Sequence, residues 1–302
     1  MGRIADALNA YDKKKASLEE LYNIFKHVDD YDVPIVRFTI YPGNSLIRQR
    51  VNLKGKEFDV ISELNYPPAA YLPNHGRANL PYHPMFYACS FPSDNEYSMP
   101  LPRIVSLLET SSFFKDKESV GIERATISRW DVSKTLNLIA LPFSGNYSTP
   151  CSDVIKFIQE WQAIIHEASV NQDGLELIQY MSNEIAKDFS SDEEYIIIAN
   201  FIYYLLNINA KTKDADGIIY PSVPAQGGGF NVAIKPDVAD TKIRFVGASL
   251  CHLLKHRKES YIAILKDSYM NADMKLVYTN RAQSQDEIEM YERYANGLDF
   301  VN

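Results

Sequence analysis

The hydrophobic period of this chain changes twice, and that change narrows the available folds more than any single motif. From residue 34 to 143 the apolar residues come in short alternating or β-branched runs. PIVRFTIYP (34–42), SLIRQRVN (45–52), MFYACSF (85–91), GIERATISRWDV (121–132) and TLNLIALPF (135–143) all read as strands. After Pro150 the period turns helical. DVIKFIQEWQAIIHEASV puts Ile155, Ile158, Trp161, Ile164 and Ile165 on one face, and LELIQYMSNEIAKDF and EEYIIIANFIYYLLNI follow it. Strand patterns return in DGIIYPS (216–222), FNVAI (230–234), IRFVGASLCHLL (243–254), SYIAILKDS (260–268) and MKLVYT (274–279). The expectation is an α+β fold, a mixed β core with a helical subdomain (152–212) inserted in its sheet.

The flanks are helical. Residues 3–12 are rich in Ala and Leu. Ser17 with Glu20 forms a capping-box pattern ahead of Leu18, Leu21, Ile24 and Phe25, and Pro34 ends that pattern. Residues 1–33 are therefore an N-terminal helical segment, and 34–302 the main domain. LPRIVSLLETSSFF (101–114) reads as one helix, residues 63–84 as a long ordered loop, and QSQDEIEMYERYANGL as a terminal helix or a frayed end.

Charge and cysteine usage exclude several functions. With 31 Lys and Arg against 39 Asp and Glu, the net charge is −8, so the broad basic field of a nucleic-acid binder is missing. A local basic pocket for a phosphorylated ligand is not excluded. Cys89, Cys151 and Cys251 are widely spaced, with no CxxC, which argues against a disulfide framework or zinc ribbon. The N-terminus has no signal-peptide core. The longest apolar stretch, YIIIANFIYYLL (195–206), is too short to span a membrane. A reduced, soluble, cytoplasmic protein without a membrane partner is expected.

Walker A, HExxH and GxSxG motifs are absent. AQGGGF (225–230) precedes a strand-like run, whereas a dinucleotide fingerprint opens a helix, so it reads as a turn. His252 and His256 lie in an alternating context, and no metal site is expected there. His166 reads as an ordinary helix residue.

Three residues stand out. Arg77, in the GRAN loop (76–79) of a proline-stiffened segment, can grip a phosphate or carboxylate, or can satisfy loop carbonyls. Tyr87 follows in a strand and reads either as a ligand contact or as a core aromatic. Glu109 lies beside Leu107 and Leu108, either on an exposed helix face or buried and in need of a partner.

GRANLPYHPMFYAC followed by a helix ending in LLET resembles the RES domain, a family named for its conserved Arg, Glu and Ser. Arg77, Asn79, Tyr87 and Glu109 match the family motif in order. YPSVPAQGGGFNVAIKP (220–236) is similar to its later segment, with Ser222 and Asn231 at the matching positions. LIRQRVN resembles its opening strand, where Arg48 or Arg50 takes the place of the family's Arg. The similarity spans roughly residues 36–250. The gap from Tyr87 to Glu109 exceeds that of compact members, and SFPSDNEYSMPLPR (90–103) fits a loop insertion carrying a competing acid, Glu96.

The resemblance implies an ADP-ribosyltransferase-like fold and an NAD-consuming toxin. That activity would be NAD glycohydrolase or phosphorylase chemistry, cleaving the nicotinamide–ribose bond. NAD would be the substrate, with no other cofactor and no metal. Glu109 would stabilise the ribose cation, Arg77 would hold the pyrophosphate and Tyr87 would orient the nicotinamide or ribose. Asn79, Ser222, Asn231 and Arg48 would complete the substrate site. An ADP-ribosyltransferase acting on a macromolecule and a non-catalytic nucleotide-binding module are the alternatives. A separately encoded antitoxin is an implied partner, and the helical segments leave a homo-oligomer interface open.

Overall fold

The computed structural model describes residues 3–11, 18–26, 35–90, 102–141, 147–148, 150–167, 171–187, 191–257 and 259–301. Ser17 and Glu96 fall outside these residues. The strands are β1 (Arg37–Ile40), β2 (Ser45–Val51), β3 (Phe86–Ser90), β4 (Val120–Val132), β5 (Leu136–Ala140), β6 (Gly217–Pro221), β7 (Phe230–Ile234), β8 (Ile243–His256), β9 (Glu259–Met270) and β10 (Leu276–Asn280). The helices are α1 (Arg3–Ala10), α2 (Leu18–Phe25), α3 (Pro102–Thr110), α4 (Ser112–Lys115), α5 (Ser152–Glu167), α6 (Gln172–Ile185), α7 (Ile196–Tyr203), α8 (Pro236–Lys242) and α9 (Gln285–Ala295).

Among the described residues the fold is mixed α+β on one ten-stranded sheet, ordered β1-β5-β6-β7-β3-β2-β4-β8-β9-β10. Neighbours pair antiparallel except β5 and β6, which run parallel. A parallel pair needs a crossover, and α5, α6 and α7 supply it. The helical block is thus the connection that makes the parallel pairing possible.

Strand alternation divides most of the interior between two large cores, with smaller clusters beside them. Ile139, Ile218, Tyr220 and Ala233 pack with Leu8, Leu21 and Phe25 of the N-terminal helices and with Leu177, Met181, Ile198 and Phe201 of the crossover. Leu138, Ile219, Val232, Phe86 and Leu46 point the other way and pack with Trp130, Phe157 and Val238.

The expected 101–114 helix is two helices. Ser111 breaks it by turning its Oγ to accept from Phe114 N at 2.8 Å and to donate to Glu123 Oε2 at 2.5 Å, so it caps α4 instead of extending α3. α8 lies in a stretch with no assigned pattern, although its signals are present: Pro236 at the first turn and Asp237 beside it. The tail is helical, with Ser284 and Glu287 forming a capping box. No helix is long and apolar enough to cross a membrane among the described residues.

Candidate active site

β2, β3, β7 and β6 are consecutive in the sheet, and α3 packs on β2 and β3. Cys89 of β3 sits opposite Asn231 of β7, and Asn231 opposite Tyr220 of β6. Directly opposed residues share a face, so all three project together. Between this face and α3 lies a cavity of about 60 Å³, lined among others by Gln49, Tyr87, Cys89, Glu109, Tyr220 and Asn231.

Glu109 is half-buried near the end of α3. Its Oε1 accepts from Ser222 Oγ at 2.6 Å and from Asn231 Nδ2 at 2.6 Å. These are short, charge-assisted contacts that fix the carboxylate. Oε2 takes no hydrogen bond among the described residues. Ser222, fully buried, is itself held by the loop that follows β6. Its Oγ accepts from Ala225 N at 3.3 Å, its O accepts from Gly227 N and its N donates to Gly229 O, both at 2.8 Å. The glycine-rich run therefore wraps Ser222. Gly227 has a φ of +75° in this turn, and a Cβ there would crowd the Tyr147 ring.

Cys89 Sγ donates to Asn231 Oδ1 at 3.2 Å, which leaves Asn231 Nδ2 to donate to Glu109. Burial, reinforced by the Glu109 charge, pushes the Cys89 thiol well above its ordinary range. It stays protonated as a donor and is not a thiolate nucleophile. The relay Cys89–Asn231–Glu109–Ser222 thus ties β3, β7, α3 and the β6–β7 loop to one carboxylate.

Tyr87 locks the GRAN loop. Its hydroxyl accepts from Ala78 N at 2.9 Å and donates to Asn79 Oδ1 at 2.8 Å. Burial raises its pKa, so it stays a donor. Asn79 Nδ2 donates to Leu80 O at 3.2 Å, and Gly76 N donates to Asn79 O at 3.0 Å. A Cβ on Gly76 would overlap Asn79 Oδ1, so the motif glycine leaves room for the Asn79–Tyr87 lock.

Arg77 is turned toward the crossover. Its Nη1 donates to Ile185 O and to Lys187 O, the latter at 2.9 Å, and its guanidinium lies 5.6 Å from the Tyr195 ring centroid. It therefore satisfies carbonyls at the C-terminal end of α6, a favourable place for a cation. It also shares an electrostatic neighbourhood with Glu109. The hydroxyls of Tyr147 and Tyr220, raised mainly by burial, are pulled down by Arg77 and pushed up by Glu109.

Neither strand arginine touches Glu109. Arg48 donates to Tyr87 O at 2.6 Å, Leu64 O at 3.0 Å and Asn65 O at 3.3 Å, and lies over Phe86. Burial and the adjacent Arg50 bring its pKa down to about 10, which keeps it charged at neutral pH. Arg50 donates to Glu63 O over the Phe58 ring. Both tie the 53–65 loop to β2.

The structure therefore brings Glu109, Ser222 and Asn231 into direct contact and joins Tyr87 to Asn79. Arg77 stands in the same field without touching the carboxylate. Sequence reasoning passed over Gln49, Cys89 and Tyr220 as site residues. For Gln49 the signal was available, because it is polar at the inward phase of β2, two residues from the buried Ile47. No group of His, Cys, Asp and Glu suited to a metal is found among the described residues. No protein-family model matches the chain, and no curated protein matches it.

Proposed function

We propose that the chain is an NAD-consuming enzyme of RES type, built on an ADP-ribosyltransferase-like core, that cleaves the nicotinamide–ribose bond. The observation that carries this reading is Glu109, anchored through Oε1 by Ser222 and Asn231 at the wall of a small aromatic-lined cavity. Cleavage breaks the bond between ribose C1′ and the pyridinium nitrogen. The electron pair leaves with the base, which becomes neutral nicotinamide, and positive charge develops at the ribose. A fixed carboxylate whose second oxygen takes no hydrogen bond among the described residues suits that charge. An oxygen of water or phosphate then bonds to C1′ and loses a proton to solvent.

In this reading Tyr87 and Asn79 shape the loop beside the substrate. Arg77 contributes positive potential toward the pyrophosphate in an otherwise acidic chain. A cavity of about 60 Å³ takes the reacting end of the dinucleotide only, so the rest lies outside it. The physiological consequence is depletion of cellular NAD by a toxin that a separately encoded antitoxin restrains.

The test is incubation of the purified protein with NAD, with and without phosphate, and resolution of the products. ADP-ribose with free nicotinamide identifies hydrolysis, and a phosphorylated ADP-ribose identifies phosphorolysis. Label transferred to a macromolecule identifies a transferase instead. No nicotinamide under any condition removes the enzymatic reading.

A further inference from the structure

Gln49 is the residue of the cavity that nothing so far explains. It is 2% exposed, and neither its Oε1 nor its Nε2 has a hydrogen-bond partner among the described residues. Buried side-chain amides are nearly always paired, because an unpaired one forfeits its bonds to water. Its neighbours in sequence do not share this condition. Arg48 and Arg50 point to the opposite face of β2 and bond to loop carbonyls. On the Gln49 face, Ile47 packs with Leu107 of α3, so an apolar residue at 49 would continue that packing. A glutamine here instead places a buried, unpaired amide in a residue that lines the cavity also holding Glu109, Asn231, Tyr87 and Tyr220.

The chemistry of the missing partner follows from the amide. A glutamine side chain presents an acceptor and donors side by side in one plane. A carboxylate offers only acceptors and would add a second negative charge next to Glu109. An ammonium offers only donors. A primary carboxamide offers both, and two such groups pair through two antiparallel hydrogen bonds. Given the NAD reading, on which this inference rests, the group in question is the carboxamide on the nicotinamide ring.

We infer that Gln49 is a specificity-determining residue of the site, pairing through its side-chain amide with the nicotinamide carboxamide and rejecting the corresponding carboxylate. The partly apolar cavity strengthens the selection, because a wrong group there leaves buried polar atoms unpaired. Gln49 takes no part in breaking the glycosidic bond, which stays with Glu109.

The experiment compares NAD with its nicotinic acid analogue, deamido-NAD, as substrates of the full chain, following release of the free base. Wild type should favour NAD in kcat/KM by about 30-fold or more, the worth of two hydrogen bonds. Gln49→Met keeps length and removes polarity. It should bring the two substrates within about 3-fold of each other, mainly by lowering kcat/KM for NAD, without lowering the melting temperature. Unmodified protein gives a second measurement: nicotinamide should inhibit, and nicotinate should not. Equal use of the two dinucleotides by wild type, a retained preference in Gln49→Met, or a large loss of melting temperature in that variant would overturn the inference while leaving the NAD reading intact. If neither dinucleotide releases base and NAD does not shift the melting temperature, both fall together.

Discussion

Ser222 Oγ donates a 2.6 Å hydrogen bond to Glu109 Oε1, joining residues 113 positions apart in the chain. Asn231 Nδ2 reaches the same oxygen from β7. Glu109→Gln would keep an acceptor at Oε1 for both donors while removing the charge and turning Oε2 into a donor. The expected outcome is a loss of nicotinamide release of about 100-fold or more, with little change in melting temperature. Parallel assays of Glu109→Gln and Glu96→Gln check it: an active Glu109→Gln beside a dead Glu96→Gln would move the catalytic acid to Glu96.

Tyr87→Phe keeps the ring and removes the hydroxyl that joins Ala78 N to Asn79 Oδ1. Two polar groups of the GRAN loop then lose their partner. A destabilisation of about 1–3 kcal/mol is expected, read from denaturant midpoints at unchanged m-value. Gly76→Ala should destabilise the same loop through its overlap with Asn79, and the two substitutions together should cost less than their sum, because both release one lock.

Arg77→Ala would strand the Ile185 and Lys187 carbonyls at the end of α6. Hydrogen exchange should rise over residues 181–187 while β6 and β7 stay protected. On the proposed function, the specificity constant for NAD should fall at least as far as turnover. Arg77→Lys should keep the charge effect but, lacking the planar guanidinium, should lose the contact with the Tyr195 ring and hold the two carbonyls, both bound through Nη1, less well.

His252 gives a pH signature of stability. Its Nε2 accepts from Arg124 Nε at 3.3 Å, so the proton sits on Nδ1, which lies 2.9 Å from the Tyr291 hydroxyl. Burial, reinforced by Arg124, brings its pKa from 6.5 down to about 4. Between these values the unfolded chain binds a proton that the folded chain refuses. The contribution of this group to stability is therefore present above pH 6.5 and drains away as the pH falls toward 4. Urea titrations at pH 7.5 and pH 5 check the slope. His252→Phe should be less stable at pH 7.5 but should flatten the profile across this window.

Much of the strand map was readable because alternation is a local signal. Phe86, Ala88, Val232 and Ile234 repeat at period two and occupy one core, as their spacing implies. The grouping of Glu109 with Ser222 and Asn231 was reachable only through family resemblance, since nothing local in LLET or YPS points one at the other. The end of α3 was not readable, because Ser111 acts as a break only when Glu123, a neighbour in space on β4, accepts the hydrogen bond of its hydroxyl. Arg77 shows the same limit from the other side. A loop arginine can hold a ligand or loop carbonyls with equal local logic, and its two carbonyl partners come from the end of a helix more than a hundred residues away.

The parallel pairing of β5 with β6 has a cost in time. Asn137 N meets Asp216 Oδ2 across 79 intervening steps of chain, and no hairpin can deliver that contact. The β6–β7 hairpin, which carries Tyr220 and Asn231, closes over a short loop and can form early. β1 and β5 can pair with each other, but they cannot join it until the crossover helices have collapsed against one another. Their end of the sheet therefore waits on the crossover, and a chain in which that pairing has not formed exposes the bare edge of β6 to neighbouring molecules.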